Sequence, residues 1–281
     1  MQEPAGEAKA TAPGAFASNF GAEFDGFVRQ AYARSVDQAR EFVAFVTPEP
    51  GSAVVEVGAG SGRITFDGGL AEAVGRQGRL LVTDPSSAQL DVARRRAADL
   101  GHDWVRFLCA PVEALPVAPE TADLCLGALF LHFTEPADAV RAMARTVHPG
   151  GRVAICAMGE MRFSPAWREV FEPAFRLLEA RGLSFDVFPP REALERIFRE
   201  AGLTVDAVQE TVDRLGFPTV DIAIGVLRQT KWVPLMLRRL PADESRGAER
   251  AVEARLRDIW KRTAPEDLVS PGTMVSILGR R

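Results

Sequence analysis

The sequence has little of what disulfide scaffolds and metal sites require. Its 281 residues include three cysteines and three histidines. Cys109, Cys125 and Cys156 lie far apart, inside or at the end of apolar runs, so we predict buried, reduced thiols rather than disulfides or a metal cluster. The histidines show no H-x-H or H-x-x-x-H spacing. The sequence therefore predicts no protein-built metal site.

A surplus of basic residues and a long apolar run are also missing. The chain has 34 Lys and Arg against 38 Asp and Glu, a formal net charge of −4, whereas domains that bind nucleic acid are normally basic. The longest clean apolar run, Leu124–Leu131, is far shorter than the roughly 20 residues that span a bilayer. Residues 1–20 lack the pattern of a secretory signal. We therefore expect a cytoplasmic protein with neither a nucleic-acid partner nor a membrane span.

The composition is that of a folded protein, with 47% apolar and 26% charged residues. Residues 1–20 show no periodicity and are predicted to be a disordered tail. The length favours one α/β domain with additions, over residues 21–281. Its core is expected at about residues 35–160, with added helices that cap a substrate site at about 21–46, 161–200 and 219–262.

Short apolar runs alternate with helical patterns through the first half of the chain. The predicted strands are Ala53–Val57, Leu80–Thr83, Val105–Cys109, Leu124–Phe130 and Val153–Ala157. The predicted helices between them are Phe66–Val74, Ser87–Leu100 (capped by Ser86 or Ser87) and Pro136–Val147. Such alternation of apolar strands and helices predicts a doubly wound, mostly parallel sheet with both faces covered.

The second half of the chain does not continue this regular alternation of strands and helices. We predict a helix from Ser164 that Pro173 kinks or splits, and an apolar helical stretch, Val220–Leu240, that Pro234 interrupts. Further elements are predicted at Arg191–Ala201 (helix), Thr204–Val212 (strand), Glu249–Lys261 (helix) and Met274–Leu278 (strand). The two late strands bring the number of predicted strands to seven.

The most informative segment is Glu56-Val57-Gly58-Ala59-Gly60-Ser61-Gly62-Arg63. A strand that runs into alternating glycines and then a helix makes the tight turn over which nucleotide-like ligands lie. Arg63 stands where the dinucleotide fingerprint has its third glycine, and no Gly-Lys-Ser/Thr follows for a phosphate loop. The carboxylate of Glu56 would repel a pyrophosphate but suits an ammonium group. S-adenosylmethionine (SAM) carries an ammonium, a sulfonium and no phosphate; a buried acid bonded to nearby backbone N–H groups is the alternative for Glu56.

A second acid, Asp84, closes the next predicted strand. At the carboxyl end of that strand it can accept hydrogen bonds from both ribose hydroxyls of an adenosyl or dinucleotide ligand. The alternative is an N-cap for the helix that begins after Pro85, and the two roles are compatible.

Five segments together resemble successive motifs of class I SAM-dependent methyltransferases, in the small-molecule branch that is similar to ubiquinone/menaquinone methyltransferases. They span roughly residues 35–160: Val54–Arg63, Asp84, Val112–Pro116, Asp123–Phe133 and His148–Gly151. The resemblance implies a Rossmann-like methyltransferase fold with Met274–Leu278 as an antiparallel last strand beside Thr204–Val212.

The resemblance also implies roles for particular residues. The methionine part of SAM would be held by Glu56, Gly58, Ala59 and Gly60. Asp84 would bind the ribose, Pro85 would pack on the adenine face, and Val112 would contact the adenine edge through its backbone. Gly127 and Ala128 would flank the sulfonium. This chain has Pro111 where many relatives have an aspartate for the adenine amino group. That contact is then lost, or Glu113 replaces it.

Methyl transfer from a sulfonium needs two oriented ligands and a dry site, and it needs a general base only for a weakly nucleophilic acceptor. The candidate base is His132, just past the fourth strand; a framework role is the alternative. His148 is predicted to interact with a helix C-terminus instead.

The sequence therefore predicts a SAM-dependent methyltransferase that acts on oxygen or carbon of a small apolar or aromatic metabolite. Its product from the cofactor would be S-adenosylhomocysteine. Two alternatives stay open: a protein of this fold that binds SAM without methyl transfer, such as a cyclase or auxiliary subunit, and an NAD-dependent oxidoreductase. A homodimer that uses the added helices also stays open.

Overall fold

A computed structural model of the chain describes residues 21, 26, 35–185 and 188–281. The predicted tail and most of the predicted helical segment before Ser35 lie outside these residues. The seven strands are β1 Ala53–Val57, β2 Arg79–Asp84, β3 Arg106–Cys109, β4 Ala122–Ala128, β5 Val147–Met161, β6 Thr204–Leu215 and β7 Ser270–Arg280.

The described helices alternate with these strands and cover both faces of the sheet. They are α1 Ser35–Val46, α2 Leu70–Val74, α3 Ser87–Asp99, α4 Pro136–Thr146, α5 Pro165–Glu179, α6 Arg191–Glu200, α7 Val220–Gln229, α8 Trp232–Met236 and α9 Ala242–Arg262. Shorter turns of helix occur at Arg63–Asp67 (π), Val112–Ala114, Leu131–Phe133 and Pro265–Leu268 (3₁₀).

The strands form one sheet in the order β3-β2-β1-β4-β5-β7-β6. Neighbours are parallel from β3 to β5, and β7 is antiparallel to both β5 and β6. The predicted α/β, mostly parallel, seven-stranded sheet is therefore confirmed. The chain order reverses between β1 and β4, and the crevice at the carboxyl ends of strands at such a reversal is where ligands of open α/β sheets bind.

Successive residues of the central strands enter two different apolar layers because side chains alternate across a strand. Val54 and Leu124 face the layer that includes α1, α5 and α7 to α9, whereas Val55 and Cys125 face the layer that includes α4 and α6. All four residues are buried. Burial on both faces explains why these strands read as continuous apolar runs.

Three predicted helices differ from the structure. Gly68 and Gly69 divide the predicted helix Phe66–Val74 into the π-turn and α2. The helix predicted to kink or split at Pro173 is not split, because α5 continues through that residue. The apolar stretch Val220–Leu240 breaks at Lys231, which has a φ of 53°, and not at Pro234. Pro234 lies in the first turn of α8, where a helix has unpaired N–H groups in any case.

Two predictions made from single residues are also wrong. Cys109 is exposed at the end of β3, where the edge of the sheet leaves it uncovered, whereas Cys125 and Cys156 are buried as predicted. His148 directly follows Val147, the C-cap of α4, as predicted, but the hydrogen bonds given for its ring are with the Pro149 carbonyl and Asp123 and not with the last carbonyls of that helix. Its Nε2 lies 2.8 Å from Asp123 Oδ1 instead.

The His148–Asp123 pair joins the start of β5 to the start of β4, and Asp123 also accepts a hydrogen bond from the backbone N–H of Ala53. The Pro149 carbonyl and Asp123 raise the pKa of His148, while the Ala53 N–H and His148 lower the pKa of Asp123. The raised pKa gives a stabilisation that is complete below the unfolded pKa of histidine and is lost as pH rises through the folded pKa. The stabilisation that comes from the lowered pKa of Asp123 is lost only as pH falls through that pKa, in acid.

We therefore expect His148→Ala to lower the melting temperature more at pH 5.5 than at pH 9. The effect should be small because both side chains are largely exposed. Thermal denaturation of wild type and variant at both pH values measures it. In an Asp123→Asn background the difference should be smaller but still present, because the Pro149 carbonyl also raises the pKa of His148. Equal losses at the two pH values would contradict the pairing.

Candidate active site

The glycine-rich turn between β1 and the π-turn has no room for a side chain at Gly58 or Gly62. Gly58 has a φ of 62°, and a Cβ built on it would lie 2.4 Å from the Cβ of Phe130. The backbone N–H of Ala59 donates to the Thr83 carbonyl at the end of β2. A left-handed backbone in contact with a ring requires glycine here. The turn is therefore tied to the end of β2 by the Ala59–Thr83 hydrogen bond, and Phe130 packs against it at Gly58.

Glu56 lies at the base of this turn and is 1% exposed. Thr65 Oγ1 donates to its Oε2 at 2.6 Å, while Oε1 has no hydrogen-bond partner among the described residues. Burial raises the pKa of Glu56 to about 7, although hydrogen bonds from Thr65 act in the opposite direction.

A buried carboxylate oxygen without a donor is costly, and such groups normally have a partner. A ligand ammonium would supply both the donor and the charge that this oxygen lacks. A diphosphate would add negative charge next to a buried acid. The site therefore fits the amino-acid end of SAM and not a dinucleotide.

Asp84, at the end of β2, holds the turn from the other side. Its Oδ2 accepts from the Gly60 N–H and its Oδ1 from the Ser86 N–H, each at 2.8 Å. Burial raises the pKa of Asp84 to about 6. Each carboxylate oxygen keeps a lone pair for a ribose hydroxyl. The N-cap of α3 is Ser86, whose Oγ accepts from the Gln89 N–H, so the capping alternative for Asp84 is wrong and the predicted Ser86 cap is confirmed.

An apolar recess lies between the end of β5, the start of β7 and the helices α5, α7 and α8. We call it the aromatic recess; its volume is about 400 Å³ including its mouth. It is lined by Met161, Phe163, Trp167, Phe171, Phe217, Val226, Leu227, Trp232 and Ser270.

The polar groups of the aromatic recess already have partners. Trp167 Nε1 donates to the Leu268 carbonyl at 2.6 Å, and Ser270 Oγ accepts from the Ser164 N–H at 3.1 Å. No charged side chain belongs to the lining given by the described residues. Such a surface suits an uncharged apolar or aromatic group.

Sequence comparisons agree with this geometry. A family model described as a methyltransferase domain matches residues 54–151. The ubiquinone/menaquinone biosynthesis C-methyltransferase UbiE of Acidiphilium cryptum is 31% identical over 179 residues, which cover 58% of this chain and 70% of that protein. The chain belongs to the class I SAM-dependent methyltransferases. UbiE of Vibrio vulnificus is 27% identical over 169 residues; the match covers 54% of this chain and 64% of that protein's length.

Solved structures share the methyltransferase fold. The YcgJ protein from Bacillus subtilis superimposes with a TM-score of 0.55 at 17% identity, covering 87% of this chain and 99% of its own. At this identity the likeness concerns the fold alone. Within the described part of the chain, no helix is both long and apolar enough to cross a membrane, and no group of three or more His, Cys, Asp or Glu side chains is placed to hold a metal ion.

The other residues that the methyltransferase motifs single out lie along the same edge of the sheet. Gly127, the last residue but one of β4, lies so close to β1 that a Cβ on it would be 2.5 Å from the Val57 carbonyl. Ala128 and Pro85 are half-buried, Val112 is buried in a short 3₁₀ turn, and Glu113 is exposed. Their contacts with a cofactor stay predictions, and so does the replacement of the missing adenine contact by Glu113.

His132, the candidate base, follows β4 as predicted. Its ring lies 4.0 Å from that of Phe133 and 5.6 Å from that of Phe188, measured between centroids. Burial among these rings, away from water, lowers the pKa of His132 to about 3. The imidazole is therefore neutral at pH 7 but a weak base in the protein without its ligands. The ring centroid of Phe188 also lies 5.3 Å from that of Trp232. Phe188 therefore connects His132 to the aromatic recess.

Two features of the site were not predicted from the sequence. Leu129, directly after β4, has a φ of 58°, which is uncommon for a residue with a side chain and is typical of functional sites. Asp213 on β6 is 6% exposed, and Gln38 Nε2 donates to its Oδ2 at 2.5 Å. Asp213 lies opposite Gly272, which pairs with Met161 of the aromatic recess. A polar residue in an edge strand carries no local signal that it will be buried.

Proposed function

We propose that this protein transfers the methyl group of SAM to a carbon or oxygen atom of a small, uncharged apolar or aromatic metabolite. The observation that carries the proposal is Oε1 of buried Glu56 beneath the glycine-rich turn, an oxygen that has no hydrogen-bond partner in the part of the chain that the structure describes. SAM, when bound, supplies an electrophilic methyl group on sulfonium. The chain's own residues would bind the ends of the cofactor, exclude water and orient the acceptor.

The cofactor would lie across the carboxyl ends of β1, β2 and β4. Glu56 would accept from its ammonium group and Asp84 from its ribose hydroxyls, while Gly58, Ala59 and Gly60 would let its chain approach the backbone. Gly127 and Ala128 would lie beside the sulfonium. The relatives named as C-methyltransferases favour carbon as the methylated atom.

The aromatic recess would take the apolar part of the acceptor, with the added helices as its lid. Without a Lys, Arg or His side chain in the lining given by the described residues, a phosphate or diphosphate would have no counter-charge there. His132 stays the candidate base, and a bound acceptor that donates a hydrogen bond to its ring would be needed to make it effective. The cytoplasmic location stays a prediction from composition.

The test is transfer of labelled methyl from SAM to a panel of neutral aromatic and aliphatic acceptors. A protein that binds SAM but labels no acceptor would favour the cyclase or auxiliary alternative. Stabilisation by NADH and not by SAM in thermal denaturation would favour the oxidoreductase and defeat the proposal.

Trp232→Leu should raise the KM for the acceptor about tenfold, because the ring is part of the recess wall and an aromatic contact is worth roughly 1 kcal/mol beyond its buried area. The Kd for SAM should stay unchanged. Trp104→Leu is the matched control, since Trp104 packs beside His102 and is not in the recess lining. An unchanged acceptor KM in a folded Trp232→Leu protein would place the acceptor elsewhere.

A further inference from the structure

We propose that Arg96, which belongs to α3, is a positioning residue that holds the glycine-rich turn and the π-turn in the shape that receives SAM. The inference rests on the proposed function, since it concerns the same cofactor site. None of the sequence motifs discussed above includes Arg96, and its interactions are with the protein itself.

The guanidinium of Arg96 contacts both ends of one short segment. Its Nη1 donates to the Ser61 carbonyl at 3.0 Å and to the Gly62 carbonyl at 3.3 Å. Its Nη2 donates to Asp67 Oδ1 at 2.7 Å. One planar group therefore brackets the seven residues from the last part of the glycine-rich turn to the end of the π-turn.

The bracketed segment carries the partner of the buried acid. Thr65, which donates to Glu56, lies inside it. Phe66, also inside it, lies under Gly62, where an added Cβ would be 2.5 Å from the ring. The Arg96 Cζ lies 5.2 Å from the centroid of the same ring, so the guanidinium covers the segment by a cation–π contact as well.

The charge of Arg96 argues against direct attraction of the ligand. SAM carries an ammonium, a sulfonium and one carboxylate, so its net charge is positive and an uncompensated Arg nearby would oppose binding overall. Arg96 also already donates to Ser61, Gly62 and Asp67. Asp67 provides that compensation, and both side chains are mostly covered, with 20% and 17% exposed. The role that remains is geometric: Arg96 fixes the backbone and, through Thr65, the rotamer of Glu56.

Lysine cannot reproduce this arrangement because its ammonium is a point charge, whereas the guanidinium presents donors in a fixed planar fork. Arg96→Lys keeps the charge but loses the simultaneous contacts with two carbonyls and a carboxylate. If the geometry matters, the Lys variant should therefore behave like Arg96→Ala in SAM affinity and like wild type in net charge.

The experiment is calorimetric titration of the full-length wild type, Arg96→Lys, Arg96→Ala and Asp67→Asn with SAM and S-adenosylhomocysteine. We expect both Arg96 variants to raise the Kd for SAM about tenfold or more. Hydrogen exchange of amides 61–67 should become faster, while the acceptor KM at saturating SAM stays unchanged. Arg94→Ala is the matched control: Arg94 is on the same helix, pairs with Asp91 at the surface and should leave the SAM Kd unchanged.

The outcomes separate the two proposals. If wild type binds neither SAM nor S-adenosylhomocysteine, the proposed function fails. If wild type binds SAM and a folded Arg96→Lys protein binds it equally well, Arg96 is not a positioning residue. A lower melting temperature with unchanged SAM affinity would likewise mean a purely structural contact and overturn the inference. Should Arg96→Ala fail to fold, Arg96→Lys and Asp67→Asn decide.

Discussion

Glu56→Gln is expected to weaken SAM binding by on the order of 100-fold, because removing one partner of a buried charge pair costs several kcal/mol. The amide keeps the size of the side chain and its contact with Thr65 but cannot balance the charge of an ammonium group. Calorimetry of SAM binding to wild type and variant measures the loss. Glu72→Gln, which changes an exposed acid on α2, is the matched control.

The pH dependence of SAM affinity gives a second readout for Glu56. Burial raises the pKa of Glu56 to about 7, so much of the ligand-free protein carries a neutral acid at this position near neutrality. Because SAM would bind the carboxylate form, affinity should increase as pH rises through about 7, with proton release on binding. Glu56→Gln should lack this step and keep any step due to Asp84, whose pKa is about 6.

Stability should move in the opposite direction to affinity. A carboxyl whose folded pKa is raised contributes stability below its unfolded pKa, and that contribution is lost as pH rises through the folded pKa. Glu56→Gln should therefore stabilise the ligand-free protein at pH 8, by at most roughly 3 kcal/mol. A variant that is less stable at pH 8 and binds SAM normally would identify Glu56 as a structural acid.

Asp84→Ala is the second variant with a large expected effect, again on the order of 100-fold in the Kd for SAM, because two charge-assisted hydrogen bonds to the ribose would be lost. From the sequence alone this variant should leave the fold intact. The structure changes that expectation: the N–H groups of Gly60 and Ser86 lose their acceptor. We therefore also expect a melting temperature lower by a few degrees.

Asp84→Asn separates the two effects. Its amide can keep one oxygen as a backbone acceptor, so stability should recover more than SAM affinity does. Asp99→Ala, at the exposed end of α3, is the control. Full SAM affinity in folded Asp84→Ala would remove this acid from the cofactor site.

Local patterns in the sequence determined the strands and the cofactor edge of the sheet. The apolar run Ala53–Val57 leads directly into alternating glycines, and both the strand and the turn follow from residues a few positions apart. Asp84 was predicted for the same reason, since it directly ends an apolar strand. The alternation of strands and helices predicted the five parallel strands, and the resemblance to methyltransferases placed the two late strands beside them. Helix breaks such as Lys231 were not predicted, because a single left-handed residue leaves no periodic signal.

Tertiary structure alone decided which groups found partners. The unpartnered oxygen of Glu56, the bracket formed by Arg96, the Gln38–Asp213 pair and the wall of the aromatic recess all depend on residues that are remote along the chain. Polar side chains such as Asp213 look solvated in sequence, because burial and hydrogen bonding are set by the elements that pack around them. The sequence by itself thus determined the strand ends, the glycine-rich turn and the two acids that make up the proposed cofactor site. The packing of distant elements decided how these groups are held and which side chains line the aromatic recess.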